Sequence, residues 1–324
     1  MALPEPVVSG APSPRPHLPS VRDLRRRARL LLPPGATRAA KGLVLTWGQL
    51  TAGRRALPSF LVIGAQRSGT TSLFRALSDH PDVFRPTVSK GIGYFDVGYV
   101  RGWRWYRAHF PLASVVRRAA GGAGQCFESS GYYSFHPAAA ERIARDLPDV
   151  KVVLMVRDPV ERAFSAWKHE KRRGFEDLDF AEALAREPAR LEGEVERLLA
   201  DPSYESYEHR HHAYCGRGRY AEQVRRFSDA LGPDRVYVLD ADRFFARPED
   251  ELSALLGWLG LGPTTATVGR WNATEAGSID PGLREALRAQ FEASDLELGQ
   301  LTGRVPSWRE TASVDQVGGS AETG

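Results

Sequence analysis

The sequence predicts a three-layer α/β domain of the P-loop type, with a central parallel sheet flanked by helices. Three observations predict it. Short apolar runs rich in Val and Ile alternate with amphipathic helical stretches. The first run feeds a loop with glycine at both ends and then a helix. The strongest run ends in an arginine, and an Asp-Pro pair then opens another helix. In such sheets ligands sit beyond the carboxyl ends of the strands, so chemistry is to be sought there.

The folded body is expected to start at Pro58. SFLVIGA, from Ser59 to Ala65, is apolar, β-branched and bounded by Pro and Gly, as a buried parallel strand should be. Thr70 to Ser78 reads as a helix with Leu73, Phe74 and Leu77 on one face. Arg101 to Phe110 is aromatic-rich and helical in pattern. Gln125 to Ser129 reads as a second strand, followed by a helix over Ala138 to Asp146. KVVLMVR, from Lys151 to Arg157, is the clearest strand. Pro159 then sits in the first turn of a helix, where its missing N–H costs least. A charged helical region covers Phe180 to Leu199. Next come a helix over Tyr220 to Leu231, a strand over Arg235 to Asp240, a helix over Pro248 to Leu259 and two more from Pro281 onward.

The chain has 324 residues, 42% of them hydrophobic, enough for one large domain with a proper core. Its formal charge is +4, but the distribution is uneven. Met1 to Leu57 carry ten Arg or Lys against Glu5 and Asp23, a net +8, which leaves −4 for the rest. A body of that sign argues against a general nucleic-acid binder. The start is Pro/Ser-rich and has the composition of a disordered segment, without the pattern of a signal peptide. Val21 to Leu32 form a short basic amphipathic piece, either a solvated tail or a contact for an anionic membrane surface. No stretch approaches a membrane span. Two distant cysteines, Cys126 and Cys215, read as reduced thiols of a cytoplasmic protein. Arginine far outnumbers lysine, which reads as the composition bias of a GC-rich bacterial genome.

GAQRSGTT, from Gly64 to Thr71, has the layout of a phosphate cradle. Backbone N–H groups and the positive end of a helix converge there on an oxyanion. The spacing matches the nucleoside triphosphatase loop except that Thr70 fills the lysine slot and the cation comes earlier, at Arg67. Without that lysine the contact to outer phosphates is missing, so a shorter anionic chain is expected. Arg157 and Ser165 form a second anion site, an arginine fork plus a hydroxyl. The competing reading of Arg157 is an ion pair with Asp158 or Glu161.

These segments, with LTGRVPSW near the end, resemble the sulfotransferases that use phosphoadenosine phosphosulfate (PAPS), in the branch of heparan sulfate sulfotransferases and many bacterial enzymes. KGIGYFD from Lys90, FESSGYYSFHP from Phe127 and RGRYAEQ from Arg217 are similar to segments of that branch. The resemblance runs from Pro58 to Trp308. It implies a sulfotransferase domain over 58–309, while composition gives a basic arm over 1–57, disordered or partly helical, and a flexible tail over 310–324. It implies transfer of a sulfuryl group to a hydroxyl or amine of a carbohydrate, lipid or small-molecule acceptor, with PAP as product and no metal. Gln66, Arg67, Ser68, Gly69, Thr70 and Thr71 are then expected to wrap the 5′-phosphosulfate, and Arg157 and Ser165 to hold the 3′-phosphate. Arg67 takes the position of the family's loop lysine, where it can stabilise a developing anion. Lys90, Tyr132 and Tyr220 are expected on the acceptor side.

The chain departs from the family at the base. The usual Glu and His positions hold Gly91 and Gly93, leaving Lys90 and Asp96 of that polar set. Glu128, Asp96 and His136 are the substitutes. His109, His209, His211 and His212 show no partner pattern and read as surface or rim residues. The stretch comparable to the family's donor-covering loop, Gly269 to Gly277, carries only Arg270 and no cysteine. A P-loop kinase or triphosphatase is the alternative enzyme, opposed by Thr70 and the lack of a Walker-B carboxylate. A catalytically silent nucleotide-binding protein is the alternative from another class.

Overall fold

The computed structural model describes residues 34–264, 269 and 278–310, with side chains described from 39 onward. The chain divides into two compact units, Met1–Val44 and Leu45–Gly324. The basic piece at Val21, Arg270 and the tail beyond Glu310 lie outside the described residues.

Five strands form one all-parallel sheet: β1 (Pro58–Gly64), β2 (Val83–Phe84), β3 (Gln125–Ser129), β4 (Lys151–Val156) and β5 (Val236–Asp240), in the order β2-β3-β1-β4-β5. β1 lies at the centre, and its alternating side chains serve opposite faces. Leu61 and Ile63 join Val152, Leu154, Tyr220 and Phe227 on one side. Phe60 and Val62 join Val153, Met155, Leu239, Leu73, Leu77 and Leu255 on the other. Both faces are therefore covered by helices, which is why the strands read as unbroken apolar runs.

The helices that place the site are α1 (Thr70–Asp79) after β1, α2 (Ala139–Asp146) after β3, α3 (Pro159–Arg172) after β4, α4 (Tyr220–Leu231) and α5 (Pro281–Thr302). Asp158 caps α3, its carboxylate accepting from the N–H of Val160 at 2.8 Å, with Pro159 next in the first turn. The charged stretch after α3 breaks into Phe180–Leu191 and Glu194–Ala200, because Gly193 between them takes φ +73, a left-handed conformation that ends a helix. The aromatic segment is shorter than its pattern: Gly102 at φ +81 precedes a helix of only Trp103–Arg107. Tyr106 there is fully buried and stacks on Tyr94 at 4.7 Å, a core role. Residues before Pro58 also join the fold, since Ala52 and Arg55 are buried and Arg55 bridges to Leu112. Cys126 and Cys215 are buried free thiols, and burial pushes both up to about 12.

Candidate active site

The loop from β1 to α1 is tied to the neighbouring strand by the N–H of Ala65, which donates to Met155 O at 2.8 Å. Gly69 takes φ +94, and a Cβ there would meet the Phe245 ring at 2.9 Å. The glycine therefore serves the turn and the packing of Phe245 as well as open access to the loop. No side chain caps α1, and the N–H groups of Ser72 and Leu73 donate to Gly69 O at 2.9 and 3.4 Å. Lys90 reaches this end from another segment, its Nζ donating to Thr70 Oγ1 at 3.2 Å and Thr71 Oγ1 at 3.3 Å. Burial, with Arg75 nearby, lowers the Lys90 ammonium to about 8. A lysine expected beside the acceptor thus lies against the hydroxyls of the phosphate loop.

Arg67 turns the other way. It holds φ +73, the one described non-glycine residue at positive φ. Its Nε donates to Ser165 Oγ at 3.1 Å. Burial and then the charges of Arg172 and Arg157 lower its guanidinium. Arg157, just past β4, is 4.0 Å from Glu161 at a side-chain exposure of 32%, while Arg284 holds the same carboxylate at 2.6 Å. The ion-pair reading of Arg157 is therefore weak. Around Arg67 the charges of Arg172 and Arg157 oppose its own, and Glu170 partly offsets them. Ser68, also buried, completes the loop.

Tyr220 is fully buried, and its hydroxyl donates to Arg157 O at 2.9 Å. It cannot line an acceptor cleft; it braces the strand end that carries Arg157. The residue of that motif that reaches the loop is Arg217. It donates to Gln66 Oε1, and to His209 O at 3.0 Å and Arg210 O at 2.6 Å. Its guanidinium lies 4.9 Å from the Tyr132 ring and 5.2 Å from the Phe135 ring, and burial lowers it to about 10. Tyr132 is half-buried, its hydroxyl 2.7 Å from His209 Nδ1.

The histidines expected at the surface are mostly inside. His109 is buried against Trp105, His209 is buried and stacked on Phe135 at 4.2 Å, and His212 is buried between Glu208 and Phe175 O. His109 and His212 are held by residues four positions earlier, Trp105 and Glu208, and His209 by the more distant Phe135. His136 is buried as well, accepting the Ala138 N–H at 3.3 Å just before α2, and burial drives it down to about 3. It orders a helix start and stays neutral.

Glu128 ends up fully buried beneath the Lys90–Gly93 segment. Its carboxylate accepts from Ile92 N at 2.9 Å, Ser130 Oγ at 2.9 Å and Tyr133 OH at 2.8 Å. Burial outweighs these donors and raises it to about 7. The glycines above are required by shape. A Cβ at Gly91 would meet Ser129 O at 2.6 Å, and Gly93 takes φ +68 with Asp96 Oδ1 3.0 Å from where its Cβ would be. Asp96 is buried, accepts the Val97 N–H at 2.6 Å and is pushed up to about 6 by burial. Arg142 fixes its backbone, donating to Phe95 O at 3.1 Å and Asp96 O at 2.9 Å. Arg142 had no distinctive sequence signal beyond being arginine, whereas Arg217 opens the RGRYAEQ segment.

The loop after β1 and the helix after β4 follow adjacent strands and are joined by the Arg67–Ser165 hydrogen bond. A family model described as a sulfotransferase domain matches residues 57–275. The chain belongs to the sulfotransferase family. The crystal structure of a sulfotransferase from Alicyclobacillus acidocaldarius is 31% identical, with a TM-score of 0.57, covering 78% of this sulfotransferase and 99% of that chain. A bifunctional heparan sulfate N-deacetylase/N-sulfotransferase of Caenorhabditis elegans is 28% identical over 64% of the chain. A mouse heparan sulfate glucosamine 3-O-sulfotransferase is 24% identical over 78% of the chain and 74% of its own length. The present sulfotransferase spans under a quarter of the C. elegans relative, 22% of its length. Among the described residues no group of His, Cys, Asp or Glu is placed to hold a metal ion, and no helix is long and apolar enough to cross a membrane.

Proposed function

We propose that the enzyme moves a sulfuryl group from PAPS to a hydroxyl or amine of a carbohydrate acceptor and releases PAP. The observation that carries the reading is the Arg67–Ser165 hydrogen bond, 3.1 Å, which links the loop after β1 to the helix after β4. The residues fit such a donor. Gln66 to Thr71 and the amino end of α1 take the 5′ end, and Arg157 with Ser165 takes the 3′-phosphate. When bound, PAPS supplies the sulfuryl group and the phosphate that departs.

The chain's own groups then divide the work. Lys90, seated on Thr70 and Thr71, neutralises charge at the helix end of the loop. Arg67, permanently charged, stabilises the anion that develops on the leaving side. Arg217 fixes Gln66 and so one lip of the loop. Asp96 takes the acceptor proton. Its raised pKa suits a base near neutrality, and Gly93 leaves space beside Oδ1 where a side chain would close it. Glu128 is enclosed by three donors and has no exposed surface, so its part is to hold the Lys90–Gly93 turn in place. The carbohydrate acceptor is supported by the names of the relatives, both heparan sulfate enzymes.

Calorimetric titration with PAP and with ATP tests the donor, and transfer of radiolabelled sulfur from PAPS to glycans, lipids and phenols tests the acceptor. Tight ATP binding without PAP binding would replace this reading with a P-loop kinase or triphosphatase. PAP binding with no transfer to any acceptor would leave a silent nucleotide-binding protein.

A further inference from the structure

The helix Pro34–Leu50 turns its bulk outward. Gly48 is buried against the chain at Ala108, where a Cβ would meet the Ala108 carbonyl oxygen at 2.5 Å. On the opposite side Trp47 is 60% exposed and Leu50 70% exposed. A glycine facing the protein and Trp and Leu facing away is the reverse of how a helix covers a core. A single exposed Leu needs no explanation, but a stripe with a Trp in it does.

The surroundings say what covers it. Arg104 Nη2 donates to Gln49 O at 3.2 Å, and Arg107 Nη2 donates to Gly53 O and Arg55 O, each at 3.1 Å. These contacts bring together two stretches, 45–57 and 97–127, that hold two and five Arg and not one Asp or Glu. Elsewhere acids and bases are interspersed. A protein partner rich in carboxylates would answer the charge but not the Trp and Leu that stand among it. Acyl chains beneath anionic headgroups answer both at once.

We propose that this face is an interfacial membrane contact. Trp47 and Leu50 enter the headgroup–acyl boundary of an anionic bilayer, and Arg101 and Arg104 lie over its phosphates. The enzyme is thereby held on the surface of a membrane without crossing it. The inference stands apart from the donor and acceptor assignments, since none of these residues lies in the proposed site.

The test is co-sedimentation of the full chain with vesicles of phosphatidylcholine alone and of phosphatidylcholine mixed with phosphatidylserine. The chain should pellet with the mixed vesicles, weakly with the neutral ones, and less as salt rises. A Trp47→Ser, Leu50→Ser double variant should lose about tenfold in partitioning for each side chain removed, with an unchanged thermal unfolding midpoint. An Arg101→Glu variant should lose binding to the mixed vesicles selectively. Failure of the unmodified chain to pellet with anionic vesicles overturns the proposal. So does undiminished pelleting of the double variant, which would assign binding to the basic residues before Pro33 alone. A dimer that the double variant converts to monomer, with no vesicle binding, would assign the stripe to a second copy of this chain.

Discussion

The Nε of Arg67 donates to the hydroxyl of Ser165 at 3.1 Å, across 98 residues of sequence. One side chain thus spans from the loop after β1 to the helix after β4. Burial, then the charges of Arg172 and Arg157, lower the Arg67 guanidinium. On the proposed donor reading, a ligand at Arg157 changes the electrostatics at Arg67.

Binding of PAP should report this directly. Arg157→Ala is expected to weaken PAP by ~1.5–3 kcal/mol, the range for a charge-assisted hydrogen bond. Ser165→Ala should cost about 1 kcal/mol and also free Arg67. Isothermal calorimetry on both variants is the measurement, and unchanged affinity in Arg157→Ala would make that arginine merely structural.

Arg67 sits at φ +73, where glycine is at ease and other residues are not. Arg67→Gly should therefore leave thermal stability within about 1 kcal/mol of the parent while kcat falls roughly 10²- to 10³-fold. Stability and turnover moving together would mean that the residue acts through the fold and not on the developing charge.

The pH profile of kcat/KM should be a bell. Burial holds Asp96 protonated up to about 6, so activity should rise as pH passes that value and the carboxylate becomes available to take a proton. Lys90 loses its charge above about 8, so activity should fall there. Lys90→Arg, which does not titrate in this range, should extend the plateau to higher pH. Asp96→Asn should remove the acid limb together with about 10²-fold or more of the rate. Initial rates across pH with saturating donor distinguish these outcomes.

How much of this could be read beforehand depends on how local each signal is. The GAQRSGTT turn and the arginine closing β4 are legible because strand, loop and helix are adjacent in sequence. The sheet was legible because both faces of β1 are buried, which forces an unbroken apolar run. The Gln66–Arg217 hydrogen bond spans 151 residues and has no local mark. In the RGRY segment the aromatic looked like the binding residue, yet Tyr220 turns inward to Arg157 O and Arg217 turns to the loop. Lys90, expected on the acceptor side, donates to Thr70 and Thr71 of the loop. Its direction is set by how Gly91 and Gly93 fold against β3, which depends on the carbonyl of Ser129 and on Ser130.

That folding bears on a tempting repair. Gly91→Glu would restore the family's carboxylate at its usual place. Here the new Cβ would meet Ser129 O at 2.6 Å, a backbone atom that cannot step aside. The variant should lose about 1–3 kcal/mol of stability, as overpacked sites do, and gain no activity. Denaturant unfolding and transfer assays on the one variant check both halves.

Glu128 separates a positioning role from a catalytic one. Its folded pKa is raised from 4.5 to about 7, so between those values the folded chain holds a proton that the unfolded chain has released. Stability must then fall as pH climbs through that window, the reverse of a salt-bridged carboxylate. Glu128→Gln removes the titration and should flatten this part of the stability–pH curve. The amide cannot accept from Ile92 N, Ser130 Oγ and Tyr133 OH as the carboxylate does, so the variant should be less stable at neutral pH by about 1–3 kcal/mol. If the residue only holds the Lys90–Gly93 turn, kcat at low temperature should stay within about tenfold of the parent and the acid limb assigned to Asp96 should remain, since losses of 10²-fold or more mark a group that moves the proton. Loss of that limb in Glu128→Gln would transfer the base from Asp96 to Glu128.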